Sequence, residues 1–403
     1  MKQTYDAIII GGGASGLLCA IAAKRCQPSL RVAVIEKNDR VGKKLLSTGN
    51  GRCNLTNKKV SADKYTGSFQ KHCAAVLKRC DTQRLLRYFE ELGLLCRADS
   101  EGRFYPLCRQ AAAVLDVLRF SCESLGVALL CGTDIHSIKK QKQFLIKTDN
   151  GELSANKLVI AAGSKAAPKL GGSASSADYL RNFGHKIVPF SPALCPVKVQ
   201  SAVLKSLKGL RANARVNLLR HGETVKSEHG EVQFNEDNLS GICVFNLSLF
   251  TEKNDKINVD VLPDISNTEL YNILLKNKRL FCQQTTDNLF TGILQKRVAQ
   301  AVLKCAGVTD FSKPVGKLSD NELKLITDTA KQMTFTVTEN CGFDRAQAAK
   351  GGVAGDEIDA HTMKSKRCEN LSVCGEAIDI CGECGGYNLH FAFASGMIAG
   401  ENL

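Results

Sequence analysis

At 403 residues the chain is too long for one hydrophobic core, so two or three domains are expected. An apolar fraction of 44% excludes wholesale disorder, and eighteen mostly isolated cysteines in a chain of this length exclude a small secreted disulfide scaffold; buried free thiols in a reducing, cytoplasmic compartment are expected. The formal charge of +14 is dispersed apart from Lys139, Lys140, Lys142 and Lys147, whose alternation reads as a solvated strand edge rather than a nucleic-acid surface.

In chain order, Ala7 to Ile10 reads as a buried central strand, Gly11-Gly12-Gly13-Ala14-Ser15-Gly16 as a tight turn, Leu17 to Lys24 as a helix, and Arg31 to Ile35 as the next strand, ending at Glu36 and Lys37. The nearly uncharged stretch from Ala7 to Ala23 holds four glycines and is short for a bilayer span, so no membrane anchor is expected. Each glycine has its own task. Gly11 permits the turn, Gly13 lets backbone approach a pyrophosphate at the helix start formed by Ala14 and Ser15, and Gly16 lets helix and strand pack closely. The Glu36 carboxylate, twenty residues after Gly16, is placed for ribose hydroxyls. A bound dinucleotide follows.

The next segment argues for FAD over NAD. Instead of another strand–helix repeat, the chain enters a loop dense in donors and glycines: Gly42, Lys43, Lys44, Ser47, Gly49, Gly51, Arg52, Cys53, Asn54, Thr56 and Asn57. Such a loop suits the flavin end of an extended cofactor. Lys44 and Arg52 can meet a phosphate or a reduced flavin's charge. Cys53 lies beside a cation but has no partner base in its neighbourhood, which speaks against catalysis.

Arg103 and Tyr105 in Gly102-Arg103-Phe104-Tyr105-Pro106 join Arg52, Asn57 and Tyr387 as substrate-side candidates, with Tyr105, Arg52 and Tyr387 the candidates for catalysis. Val127 to Ile146 reads as a small meander, with Asp134 and Ile135 at the strand end where adenine is expected. Leu158 to Ala161 is a further strand, ending at Ala162 and Gly163. No second G-x-G-x-x-G appears, so a dedicated NAD(P)H domain is absent and nicotinamide would dock transiently. Residues 212–249 alternate in short β-like runs, Asn267 to Cys305 and Asp320 to Asp328 have helical period, and Lys331 to Thr338 returns as a strand.

At the C-terminal end, Leu371 to Val373 is a strand, followed by Gly375, Glu376 and Asp379, and then by Gly386-Tyr387-Asn388-Leu389 opening a long helix through Ile398. A second helix N-terminus is thereby aimed at the cofactor, where its N–H groups stabilise charge at the flavin N1–C2 edge. Asp379 can bind ribitol hydroxyls or orient neighbouring backbone. Cys381 and Cys384 leave three readings open: a redox disulfide, half of a zinc site completed from Cys374, Cys368 or His390, or free thiols. No metal site is expected. His390 has the position of a structural residue.

The stretches IIIGGGASG, VIEK, GKKLLSTGNGRCNLTN, EGRFYP, FSPALCPV and CGEAIDICGECGGYNLHFAFASGMIAG together resemble the BaiN-like flavoproteins, whose members include aminoacetone-oxidase-type FAD-binding enzymes. The cysteine pair departs from that family's pattern. The resemblance implies an α/β fold: a discontinuous Rossmann-like FAD-binding domain of the two-dinucleotide-binding type at 1–190 and 346–403. It further implies an inserted β-barrel-like domain at 191–264 and 330–345, and a nested helical subdomain at 265–329. It also implies an FAD-dependent oxidoreductase that takes hydride from NAD(P)H and reduces a small organic acceptor such as a conjugated enone, steroid or bile-acid-like. The alternatives are an amine oxidase using O2 and a flavin-binding protein that engages RNA or a partner. Against RNA stands the lack of basic–aromatic interleaving. A monomer or weak homo-oligomer is expected.

Overall fold

A computed structural model of the chain describes residues 3–403. They form two units, one of residues 3–193 with Phe343–Leu403 and one of Leu194–Gly342.

In the first unit, the apolar run at the end of strand Gln3–Ile10 has water on neither face, so Ile8 and Ile9 are fully buried. Side chains of this size contribute about 1.5–3 kcal/mol each on burial. The strand pairs in parallel with Val32–Ile35 on one side and Gly151–Ile160 on the other. Val32–Ile35 pairs in parallel with Ala128–Leu130, and Leu371–Val373 joins Gly151–Ile160 in parallel. An antiparallel meander, Ile135–Lys140, Phe144–Thr148 and Gly151–Ile160, completes the seven-stranded sheet. All the parallel strands end on the same side, where an open α/β sheet binds its ligand.

Helix Ala14–Cys26 leaves the first strand through the glycine turn and packs against helix Tyr387–Glu401. Both helices are buried nearly all round, which accounts for their lack of an amphipathic stripe. The contact depends on absent side chains. A Cβ on Gly396 would lie 2.2 Å from the Ser15 carbonyl oxygen, and one on Gly400 2.2 Å from that of Cys19.

The second unit is a closed six-stranded barrel in which Val197–Gln200, Asn238–Ser240, Glu223–Phe234, Arg211–Arg220, Lys256–Asp260 and Met333–Asn340 follow one another around the ring. Helices Asn267–Leu280, Lys296–Cys305 and Asp320–Lys331 share one hydrophobic core with these strands, through Leu270, Leu274, Val302 and Leu323. Ser319 and Glu322 close a reciprocal capping box on the third helix. One local expectation is corrected: Ile242–Leu247, read as a β-like run, is helical. Gly241, at φ +111°, forces the turn, and any side chain there would strike the Glu231 carbonyl. Among the described residues no helix is long and apolar enough to cross a membrane.

Candidate cofactor and substrate site

A cleft of about 340 Å³ opens at the C-terminal ends of the parallel strands in the first unit. It gathers Gly11, Gly13, Glu36, Lys37, Lys44, Asp134, Ile135, Ala162, Gly163 and Glu376 from five separate stretches of chain. The glycine turn has the geometry its spacing implied. Gly11 has φ +108°, and a Cβ there would meet the Ala161 carbonyl oxygen at 2.4 Å. A Cβ on Gly16 would lie 1.9 Å from the Gly11 oxygen, whereas one on Gly13 would meet nothing within 4 Å. The space left bare by Gly13 lies at the start of helix Ala14–Cys26, where N–H groups and dipole favour a phosphate. These residues fit a dinucleotide.

The Glu36 carboxylate is buried and already engaged: Oε2 accepts from Gly12 N at 2.9 Å, and Oε1 accepts from Asn38 N at 2.9 Å and Asn38 Nδ2 at 2.6 Å. The turn itself thus fixes its orientation, and Oε2, with one donor, keeps acceptor capacity for a ribose hydroxyl. Lys44 lines the cleft and is also paired within the fold. Its Nζ sits 2.6 Å from Glu376 Oε2, which also accepts from Ser164 Oγ at 3.0 Å. Lys43 is likewise paired, with Asp39 at 2.6 Å. A lysine beside a carboxylate is a poor free counter-charge for phosphate, so Lys44 ties the flavin-side loop to the C-terminal segment.

Asp379 is also absorbed by the fold. Oδ2 accepts from Ser68 N at 2.8 Å and Oδ1 from Gly351 N at 2.9 Å, so it orients neighbouring backbone, one of its two readings. The Asn388 amide closes two 2.8 Å hydrogen bonds with Gly382 N and O, and Leu389 follows in the same helical turn.

A second cluster lies outside the cleft lining. It consists of Gly49, Gly51, Arg52, Cys53, Asn54, Thr56, Tyr105, Gly386 and Tyr387. The exposed Arg52 guanidinium lies 5.2 Å from the centre of the Tyr105 ring and donates to Gly49 O at 3.1 Å. Tyr105 is buried beneath it and Tyr387 is buried against Tyr65, whose hydroxyl donates to Tyr387 O at 2.9 Å. Ser47 is solvent-exposed and bonds back to Lys44 O. Cys53 is fully buried, and burial pushes its thiol up to about 12, which removes the thiolate that catalysis needs. Burial likewise raises the Cys381 thiol; Cys384 is half-buried, and neither is in a disulfide. Among the described residues no cluster of three or more His, Cys, Asp or Glu side chains is arranged to hold a metal ion.

His390 anchors this cluster from behind. Its Nε2 donates to Cys80 O at 3.0 Å, so Nδ1 is the acceptor for Thr56 Oγ1 at 2.8 Å. Burial lowers its pKa from the ordinary imidazole range to about 4. A depressed imidazole stabilises the fold fully above about pH 6.5, and that contribution is lost as pH falls towards about 4, on the order of 3 kcal/mol in total. Urea midpoints measured at pH 7 and pH 4.5 are expected to differ more for the parent than for His390→Gln. His185, also depressed by burial, is common to both proteins and cancels from the comparison.

The sequence reading missed the outer wall of the cleft: Asn38, Thr133, Ser164, Leu170, Gly171, Gly172, Ser173, Ser175 and Tyr179. Its one signal was the paired glycine. Gly171 has φ +102° and abuts Asn38, and a Cβ on Gly172 would lie 2.0 Å from Ala166 O.

Comparison with known proteins agrees with this layout. Residues 5–402 match the family model described as the HI0933-like protein Rossmann domain. The chain is 33% identical, over 98% of its length and 97% of the relative's, to a 3-dehydro-bile acid delta(4,6)-reductase of Clostridium scindens. It is 26% identical to a ribosomal RNA dihydrouridine synthase of Escherichia coli, over 100% of its length and 98% of the relative's. In fold it is similar to the 3-ketosteroid-delta4-(5alpha)-dehydrogenase of Rhodococcus jostii, with a TM-score of 0.52 at 13% identity, covering 99% of this chain and 96% of that one.

Proposed function

This chain belongs to the HI0933-like Rossmann family of FAD-dependent oxidoreductases, and from that premise we propose that it reduces a carbon–carbon double bond conjugated to a carbonyl, with NAD(P)H as the electron donor. When bound, FAD supplies the two-electron carrier between donor and acceptor. The protein's part is to hold both partners, exclude water and stabilise charge.

The observation that carries this reading is Arg52. Hydride addition to a conjugated double bond leaves negative charge on the carbonyl oxygen. Within Gly49–Thr56, Arg52 is the one cation; it has no carboxylate partner among the described residues, and Gly49 O and the Tyr105 ring hold it in place. A fixed guanidinium that faces solvent suits an oxygen acquiring charge.

The relatives' names fit the same chemistry on two scaffolds, since a 4-ene bile acid ketone and a uracil ring both carry a double bond conjugated to a carbonyl. A steroid-like substrate is the first reading. A uridine in RNA is the second, favoured by the charge: most of the +14 surplus falls within residues 1–193 and 343–403, the unit that carries the cleft.

The test is anaerobic reduction of the FAD-loaded protein by NADH and NADPH in turn, followed by reoxidation with a 3-keto-4-ene steroid or a ribosomal RNA transcript. Bleaching by a nicotinamide and reoxidation by one of these acceptors is the expected result. No bleaching by either nucleotide would remove the proposed donor. Bleaching by amines, with O2 as the reoxidant, would move the protein to the oxidase class.

A further inference from the structure

Among the described residues of the first unit, three large apolar side chains stand more than half exposed: Leu95 at 56%, Leu107 at 54% and Phe120 at 55%. Phe120 has the Arg119 guanidinium over its ring, 5.2 Å from the centre. Leu95 and Leu107 come together, since Leu107 N donates to Leu95 O at 2.8 Å. That bond continues the antiparallel pairing of Cys96–Ala98 with Arg103–Pro106, and Cys96–Ala98 is the edge strand of its small sheet. Single exposed leucines need no explanation, but two side by side at a sheet edge do.

Alternation along the strand settles which side chains share this face. Leu94 is buried and Cys96 half-buried, whereas Leu95 and Arg97 are exposed, so the latter two point the same way. Residues directly opposite in an antiparallel pair also share a face, which sets Tyr105 beside Arg97. The Arg52 guanidinium lies over the Tyr105 ring and therefore belongs here too. Arg109, also exposed, follows Leu107 by two residues. Arg52, Arg97 and Arg109 have no carboxylate partner among the described residues. The two acids nearby in the chain, Asp99 and Glu101, are both bound to Arg103. Two leucines are thus set among three uncompensated guanidiniums.

We propose that this face docks peripherally on an anionic lipid bilayer, with the leucines entering the acyl boundary and the guanidiniums meeting headgroup phosphates. Cations around an apolar point call for a surface that is negative outside and apolar within. The patch is too small for a stable protein partner, whose interface engages roughly 20–30 residues a side. A bilayer needs no matching shape, so a few inserted side chains suffice for reversible attachment. Where the proposed reduction holds, docking brings Arg52 to the surface in which a steroid-like acceptor dissolves.

The test is co-sedimentation of the full-length protein with vesicles of phosphatidylcholine alone and of phosphatidylcholine mixed with phosphatidylglycerol. The parent is expected to bind the mixed vesicles, less so as salt is raised, and to leave the neutral ones in place. Arg97→Gln is expected to weaken binding about fivefold, and Leu95→Ser combined with Leu107→Ser about tenfold. Two controls separate the patch from the general surface. Leu280→Ser, at a leucine 63% exposed in the second unit, and Lys142→Gln, at an exposed cation elsewhere in the first, are expected to bind as the parent does. The proposal is overturned if the parent ignores anionic vesicles, or if the two leucines can be replaced without loss, which would leave net charge as the whole attraction. It is also overturned if the parent dimerises through these leucines in lipid-free solution. Preference for a ribosomal RNA transcript over vesicles, dependent on Arg97 and indifferent to the leucines, would assign the face to RNA instead. Sedimentation needs neither FAD nor turnover, so failure here leaves the proposed reduction standing.

Discussion

Gly13→Ser is expected to leave an apoprotein at least as stable as the parent that binds FAD about a hundredfold more weakly. Gly13 has φ −87° and ψ −168°, extended backbone that any residue adopts, and a Cβ there would contact nothing within 4 Å. Serine is moreover a good residue for the position that caps helix Ala14–Cys26, since its hydroxyl can accept from first-turn amides that the glycine leaves uncapped. Those are the amides a pyrophosphate needs. The new side chain occupies both the approach and the donors, and two charge-assisted hydrogen bonds lost at about 1.5 kcal/mol each correspond to roughly a hundredfold. Gly16→Ala makes the contrast. Its Cβ would sit 1.9 Å from the Gly11 oxygen, so the turn itself must open and the apoprotein should lose stability along with the cofactor. Thermal unfolding without FAD and flavin fluorescence titration separate the two effects. A Gly13→Ser protein with parental FAD affinity would mean that the pyrophosphate does not lie at this turn.

The contrast between these glycines was legible in the sequence because the relevant physics is local. Turn, bare approach and close packing are each decided within a few residues of the G-x-G-x-x-G run, and the acidic residue at Glu36 follows from strand length alone. The side chains that the sequence assigned less well are those whose partners are distant. Lys44 reads as a contact for phosphate or reduced flavin, and its pairing with Glu376, more than three hundred residues away, is seen only in the fold. For Asp379 the sequence leaves ribitol binding and backbone orientation both open, and the amides of Ser68 and Gly351 against its oxygens are seen only in the fold. Cys53, by contrast, reads as non-catalytic because it lacks a partner base, and its left-handed backbone at φ +57° accompanies a thiol turned into the core. The run Ile242–Leu247 is apolar and β-branched enough for a strand, and the Gly241 turn overrides that propensity. Motifs set where backbone goes; which polar groups remain available to a ligand depends on what the rest of the fold has already satisfied.

Gly396→Val should have the opposite signature to Gly13→Ser, destabilising the apoprotein and thereby losing FAD. Gly396 sits in mid-helix, where glycine has a conformational cost of its own, so its presence there requires a packing reason. The reason is the 2.2 Å that would separate a Cβ from the Ser15 carbonyl oxygen, with Gly400 repeating the relation one turn later at Cys19. Two helix backbones cannot stay this close with a valine between them. Overpacking of this kind costs about 3 kcal/mol or more when backbone must move, or roughly 6–12 °C in melting temperature for a domain of this size. FAD binding is lost as well because of what the crossing positions. Helix Ala14–Cys26 begins at Gly13, and helix Tyr387–Glu401 begins at Gly386, beside Asn54. In the proposed FAD site the first would meet the pyrophosphate and the second the flavin ring, so an extended cofactor needs those two starts at a fixed separation. The glycine pair holds them there by locking the helices backbone to backbone. A Gly396→Ala variant, with one methyl rather than three carbons, should fall between parent and valine in both melting temperature and FAD affinity. If the two quantities changed independently across the series, the crossing would be packing alone and would not set the cofactor's two contact points.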